Sequence, residues 1–343
     1  MKKIIIRSPG SRKNLEYVEV ENLVPKEDQV LIQVRATGVN YADVCVRLGV
    51  YESAKKFVGW PICPGFEVSG TVISTGPKVS KYRVGDPVVG FTLFNGYATQ
   101  VCIPEKHVMP IPKGFTLEQA AGFVAVFFTA YHALHQHIKL RTGDPVLIHS
   151  AAGGVGTALV QLGKAHGLKT VAVIGASHKR KYLETFGPDV IIDKSTQDLW
   201  AEASKAAPKG YRAIFDANGY TTMKDSYRHL APTGKLLVYG AHAMFSKTTG
   251  RINYLKAAVG LLKTPRFSPL EMTTNNKGVI GFNISFLFEE ETMIEECIQG
   301  VQEIIAQGHI KPVPITEIPF DRVVDAHQLI ESGNSVGKIV LTV

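Results

Sequence analysis

Apolar and polar positions change their rhythm about a third of the way along the chain. Before that point the apolar residues come in short or alternating runs: Lys2–Arg7, Leu15–Val20, Gln29–Ala36, Glu67–Thr75, Asp86–Phe91 and Tyr97–Ile103. Clusters of Gly, Pro and Asn separate them. Short strands punctuated by turn formers predict a small antiparallel, barrel-like unit.

From Thr116 the texture is different. Thr116 with Gln119 three residues on has the form of a helix-opening capping box, and a long apolar run follows to Leu134. Strands then alternate with helices. Pro145–Ser150, Thr170–Ile174, Val190–Asp193, Ala213–Asp216 and Lys235–Tyr239 read as strands, and Val279–Ile284 as a sixth. Val155–His166, Lys179–Phe186, Asp198–Ala206 and Thr221–Leu230 read as the helices between them. Continuous apolar strands alternating with amphipathic helices predict an α/β unit with a buried, doubly wound parallel sheet. Helix Glu289–Gln307 and the tail Ile315–Val343 read as a return to the first unit, with strand Lys338–Val343 pairing into its sheet. The expected division is residues 1–122 with 286–343 in one domain and residues 123–285 in the other.

The connection Ala241–Lys277 is long. It holds a short candidate helix, Ile252–Leu262, flanked by Arg251, Lys256, Lys263 and Arg266. That helix reads first as a surface element with a solvated basic rim. A substrate lid or a membrane-surface contact is the alternative.

At 343 residues the chain suits two domains better than one. Its 45% hydrophobic and 20% charged residues are an ordinary globular balance. The N-terminal apolar run is too short for a signal peptide, and no stretch reaches the roughly 20 apolar residues of a membrane span. Cys45, Cys63, Cys102 and Cys297 have no metal-type spacing, so a reducing, cytoplasmic setting is expected. The net charge of +8 reads as general solubility or as attraction for a polyanionic ligand such as a phosphorylated cofactor. Nucleic acid is disfavoured, because no basic tract is interleaved with aromatics.

The turn from Ser150 to Gly156 follows a strand and opens a helix. Ala151, Gly153 and Gly156 form an Ala version of G-x-G-x-x-G, with Ala152, Gly154 and Val155 between them. Gly153 lets the backbone approach a pyrophosphate, and Gly156 lets helix and strand pack closely. The helix N-terminus offers unpaired N–H groups to the phosphates. The next strand ends without the Asp or Glu that holds a ribose 2′-hydroxyl in NAD enzymes. Ser177, Lys179 and Lys194 stand there instead, with His178, Arg180 and Lys181. A hydroxyl with cations suits a 2′-phosphate. Cations in the first turn of a helix oppose its dipole, which a bound anion explains. The expected cofactor is NADP(H).

Several motifs in order resemble the medium-chain dehydrogenase/reductase superfamily over nearly the whole chain. They are Gly38–Asp43, Arg47–Tyr51, Pro64–Gly70, Val84–Asp86 and Ala151–Gly156. The Asn-Tyr-Ala-Asp and Ala-Ala-Gly-Gly-Val-Gly forms resemble the zinc-free quinone oxidoreductase (zeta-crystallin-like) group. Gly278–Asn283 and the long segment before it resemble the synaptic vesicle membrane protein homologue branch. The resemblance implies a GroES-like catalytic domain beside a Rossmann domain. Where zinc-dependent members carry Cys and His ligands this chain has Asn40 and Phe66, with only the following Glu67 retained. A phenyl ring cannot ligate metal and an amide is a poor zinc ligand, so no metal is expected.

Hydride transfer without a Lewis acid needs an acceptor that spreads the resulting charge itself, such as a quinone or an enone. Asn40 offers an amide donor to a carbonyl, unless its side chain caps a turn. Tyr51 resembles the proton-donating tyrosine of enoyl thioester reductases, although a contact or packing role fits it equally. The resemblance adds Thr129, Tyr239, Phe282, Asn283, Asn334 and Lys338 as cofactor contacts, the last two near the pyrophosphate. Each has an ordinary reading: Thr129 bonding a helix carbonyl, Phe282 in the core, Lys338 solvated. His132, His135 and His137 read as structural. The expected function is NADPH-dependent reduction of quinones or α,β-unsaturated carbonyls by a homodimer joined along its sixth strand. An enoyl thioester reductase and an NADPH-binding membrane-associated protein are the rivals.

Overall fold

The computed structural model describes residues 1–245 and 250–343. Two sheets organise it. The first has seven strands, in the order Ile315–Pro319, Lys338–Thr342, Gln29–Val39, Glu67–Thr75, Pro87–Phe91 and Val108–Pro110, with Gln100–Pro104 also paired to Gln29–Val39. All its pairings are antiparallel except that between the two C-terminal strands. The terminal strand thus joins the N-terminal sheet, as its apolar pattern predicts. A separate hairpin, Lys2–Ile6 with Leu15–Glu19, flanks this sheet.

The second sheet has six strands, all parallel. Numbered along the chain they are Pro145–Ile148, Lys169–Ile174, Val190–Asp193, Tyr211–Asp216, Leu230–Val238 and Gly278–Gly281. Their spatial order is 3-2-1-4-5-6, the doubly wound dinucleotide-binding arrangement. Val146, Leu147, Ile148, Val171, Ile214 and Leu236 are fully buried. That explains why these strands read as unbroken apolar runs: helices cover both faces. The strand order reverses between the first and fourth strands, so a crevice opens at their carboxyl ends.

The structure differs from the sequence reading in several places. Two helices, Tyr41–Leu48 and Glu52–Phe57, occupy a stretch to which the sequence reading assigns no element. The apolar run after Thr116 is broken. The capping box forms as expected, with Gln119 N donating to Thr116 Oγ1 at 3.2 Å. Helix Leu117–Ala121 then stops, and Val124–Tyr131 begins again after Gly122. A Cβ on Gly122 would lie 2.4 Å from Cγ of Lys338, so the break admits a side chain from the last strand. His132–Gln136 forms one turn of π-helix. His132 is buried, and burial holds the His135 imidazole down to about 4. Helix Glu291–Ala306 packs on Val124–Tyr131, so the chain rejoins the first sheet only at Ile315.

The connection Ala241–Lys277 contains helices Tyr254–Lys263 and Pro269–Asn275; its residues 246–249 lie outside the described residues. Among the described residues no helix is long and apolar enough to cross a membrane.

Candidate functional site

A cleft of about 660 Å³ lies at the crevice of the parallel sheet, with the first sheet and its helices forming the opposite wall. Its floor is the glycine turn. Ser150 adopts a left-handed φ of 53° at the end of the first strand, and its hydroxyl donates to Asn218 Oδ1 at 2.9 Å. Helix Gly154–Ala165 starts at Gly153 and points its N-terminus at the cleft. A Cβ on Gly156 would sit 2.4 Å from Ser150 O and 2.6 Å from Ala151 Cα, so strand and helix pack as closely as the motif requires. A Cβ on Gly153 would meet only Ser150 O, at 3.3 Å, leaving its other side open. A helix N-terminus before open space has the form of an anion-binding cradle.

Ala152, Gly153, Gly154, Val155, Lys179 and Lys194 all line the cleft. Lys179 Nζ donates to Gly333 O at 2.5 Å, across to the turn after helix Val323–Ser332. Ser177 does not line the cleft. Its hydroxyl donates to Asp193 Oδ2 at 2.5 Å, because Asp193 at the end of the third strand outcompetes a solvent-facing orientation. Asp193 also takes the Ser195 hydroxyl at 2.6 Å. Burial pushes this carboxyl up, but the bonds from Ser177 and Ser195 outweigh it and hold it below the usual range. The sequence reading overlooked Asp193, an acid one strand further on than the position it inspected.

The remaining candidates also converge. Asn40, Tyr51, Thr129, Tyr239, Phe282, Asn283, Asn334 and Lys338 all line the same cleft. Thr129 Oγ1 donates to Ala125 O at 2.7 Å, the helix-carbonyl bond of its ordinary reading. Phe282 packs against His132 and Tyr239, with centroids at 4.9 and 6.0 Å. Tyr51 OH donates to Asn283 Oδ1 at 3.0 Å, and burial pushes the phenol up to about 12. Tyr51 therefore stays protonated across the physiological range. Phe66 closes on it edge-to-face at 5.8 Å. The result is a largely aromatic chamber with a few polar atoms near one end.

Those polar atoms are tied together. Asn40 precedes helix Tyr41–Leu48, where Asp43 Oδ2 accepts its backbone N–H at 2.8 Å; its side-chain amide crosses to Glu67 and Lys338. Asn40 Nδ2 donates to Glu67 Oε1 at 2.9 Å, and Lys338 Nζ donates to Asn40 Oδ1. Lys338 also pairs with Glu67 Oε1 at 2.8 Å and donates to Val39 O at 3.0 Å. Glu67 Oε2 accepts from Ala125 N at 2.9 Å. The Lys338 and Glu67 side chains are 4% and 0% exposed. The ammonium is thus held within this network, with its stem running beside Gly154 of the glycine turn.

This set of atoms does not fit a zinc ion. Phe66 has no donor atom, Asn40 is an amide, and Glu67 is committed to three hydrogen-bond donors. Among the described residues no group of three His, Cys, Asp or Glu side chains could hold a metal.

A second buried network braces the cleft from behind. Glu331, on helix Val323–Ser332, lines the cleft and pairs with both Arg47 and Arg12. Arg47 is fully buried and also donates to Gly10 O at 2.6 Å and Gly250 O at 2.9 Å. Beside it, Asp43 accepts from Asn40 N and Gly65 N, each at 2.8 Å. Burial pushes the Asp43 carboxyl up to about 7 against these bonds. Residues 284 apart in sequence meet here, and no local pattern announces it.

Two family descriptions match: the alcohol dehydrogenase GroES-like domain over residues 26–113, and a zinc-binding dehydrogenase domain over residues 186–341. The chain belongs to the medium-chain dehydrogenase/reductase superfamily. It is 32% identical to the human synaptic vesicle membrane protein VAT-1 homolog over 92% of this chain and 79% of that one. The zebrafish homolog is 31% identical, and this chain spans only 64% of its length. Rat quinone oxidoreductase is 28% identical over 92% of this chain and 90% of its own. Among solved structures, the human VAT-1 homolog-like protein aligns with a TM-score of 0.83 at 26% identity, covering 100% of this chain and 98% of that one. CurK enoyl reductase aligns at 0.85 and 25% identity, covering 99% and 98%. A mycobacterial protein complexed with NADPH aligns at 0.84 and 25% identity, covering 100% of both chains.

Proposed function

We propose that the protein is an NADPH-dependent reductase of quinones or α,β-unsaturated carbonyls that works without a metal. One observation carries this reading: the glycine cradle and an aromatic chamber without a metal-ligand set share a single cleft. The NADPH complex of a structural neighbour and the quinone oxidoreductase and enoyl reductase relatives support it.

Gly153, Gly154 and Val155 would hold the pyrophosphate at the helix N-terminus, with Asn334 at its rim. Lys179 and Lys194 would face the 2′-phosphate. Thr129, Tyr239, Phe282 and Asn283 would flank the nicotinamide end. When bound, the cofactor supplies the hydride. Phe66, Phe91, Leu93 and Phe288 line the acceptor space and exclude water. Asn40 Nδ2 donates a hydrogen bond to the acceptor oxygen as negative charge gathers there. The Tyr51 hydroxyl, neutral and held by Asn283, is placed to pass a proton to an enolate, while a quinone needs no such help. Among the described residues the outer edge of strand Gly278–Gly281 has no neighbour, and pairing with its copy across a two-fold would form the homodimer. The domain division follows the two sheets.

NADPH oxidation against a panel of quinones, enones and enoyl thioesters tests the reading, with Tyr51→Phe as control. Turnover of quinones and enones is expected, with the enone rate alone lowered by Tyr51→Phe. Turnover confined to enoyl thioesters would transfer the assignment to that class. A second reading rests on helix Tyr254–Lys263, whose Leu255, Leu261 and Leu262 are 77%, 68% and 87% exposed. Co-sedimentation with anionic liposomes, together with no turnover across the panel, would favour a membrane-associated NADPH-binding protein.

A further inference from the structure

We propose that Lys338 is a positioning residue that fixes the Asn40 amide, so that one N–H is always presented to the acceptor oxygen. The inference rests on the reductase reading and deepens it.

An asparagine amide is nearly symmetric in shape, and only its partners decide which end is oxygen. Asn40 alone, beside the carboxylate of Glu67, would be turned with its nitrogen toward Glu67 but free to swing. Lys338 removes that freedom. An ammonium has three donors and no acceptor, and here all three are used: Val39 O at 3.0 Å, Glu67 Oε1 at 2.8 Å, and Asn40 Oδ1. The oxygen of Asn40 must therefore face Lys338. Its nitrogen spends one hydrogen on Glu67 Oε1 at 2.9 Å, which leaves a second hydrogen beside the cleft that Asn40 lines.

The lysine itself is held by the fold. Its stem runs past Gly122, where any Cβ would lie 2.4 Å from its Cγ, and past Gly154, where a Cβ would lie 3.5 Å from its Cδ. Strand Lys338–Thr342 is paired on both sides, to Ile315–Pro319 and to Gln29–Val39, so the Cα cannot drift. A rigid strand, a channel cleared of side chains and a paired carboxylate combine to aim one amide hydrogen. Such preorganised donors contribute most where charge is localised on one oxygen in the transition state. An enolate keeps more of its charge on one oxygen than a hydroquinone anion, which also spreads charge into an aromatic ring.

The test compares an enone with a benzoquinone under saturating NADPH. Lys338→Met should lower kcat for the enone about 100-fold, the order seen for loss of one oxyanion donor. The quinone rate should fall less than about 10-fold. Gly122→Ala, which crowds the stem and removes no charge, should shift the enone-to-quinone ratio the same way and serves alone where Lys338→Met does not fold. In the cofactor-free protein, the Asn40 side-chain amide NMR signal should be slow to exchange in wild type and fast in the variants. Equal losses for both acceptors, an unchanged ratio, or unchanged amide exchange would overturn the inference. Wild-type protein that binds NADPH yet reduces neither acceptor would instead sink the reductase reading, and this inference with it.

Discussion

Replacing Lys179 by Glu probes cofactor choice at a single charge. Lys179 lines the cleft in the turn after the second parallel strand and is half-buried, but its ammonium bonds Gly333 O on the exposed rim, so water still screens its interactions. Two unit charges about 4 Å apart in water interact by about 1 kcal/mol. A 2′-phosphate carries nearly two charges, so the lysine attracts it by about 2 kcal/mol. Glutamate turns attraction into repulsion; allowing for its shorter, rotatable side chain, the total loss is about 3 kcal/mol, or about 100-fold in NADPH affinity. NADH lacks that phosphate, and its affinity should change less than about 3-fold. The lost bond to Gly333 O lies on the exposed rim, where water replaces it. Fluorescence titration of both cofactors at low salt measures the two constants. The gap should narrow as salt is raised, because such pairs are screened. An unchanged NADPH-to-NADH ratio would refute the placement of the 2′-phosphate at Lys179.

Three further outcomes follow from the same geometry. Gly156→Ala puts a Cβ 2.4 Å from Ser150 O, so calorimetry should show NADPH binding weakened at least 10-fold while the fold persists. Glu331→Gln leaves Arg47 and Arg12 without their shared carboxylate, and urea denaturation should show a loss of about 3–5 kcal/mol. The folded protein holds the Asp43 proton more tightly, at about 7 against 3.8, so stability present at low pH is lost as pH rises from about 4 to about 7. That term is worth about 4 kcal/mol. Urea midpoints at pH 5 and pH 8 should differ less in Asp43→Asn than in wild type, with the buried histidines common to both.

The parallel sheet was legible because its strands are buried on both faces and its helices carry a strict period. The glycine turn was legible because its demands are local: bare backbone and close packing at Gly153 and Gly156. The two short helices after Val39 were missed, although Asn40 with Asp43 three residues on has the spacing of a helix start. Burial of charge was not legible. Lys338 follows Gly337 at the head of a terminal strand and reads as a cofactor contact or a solvated lysine, with nothing local to announce its burial beside Glu67. Gly122 and Gly154, both far away in sequence, leave room for its stem. Ser177 reads as a phosphate ligand, and its bond to Asp193, one strand further on, has no local signal. Side chains committed to partners from distant elements cannot be assigned by spacing along one segment.

The proposed reaction delivers hydride from the cleft with no ion polarising the acceptor. The direct measurement is a single turnover: chelator-treated protein saturated with NADPH is mixed with a benzoquinone, and NADPH absorbance is followed to completion. Loss of one NADPH per quinone, at a rate unchanged by the chelator and by added zinc, is the expected result. Oxidation that stops after chelation and returns with zinc would contradict it.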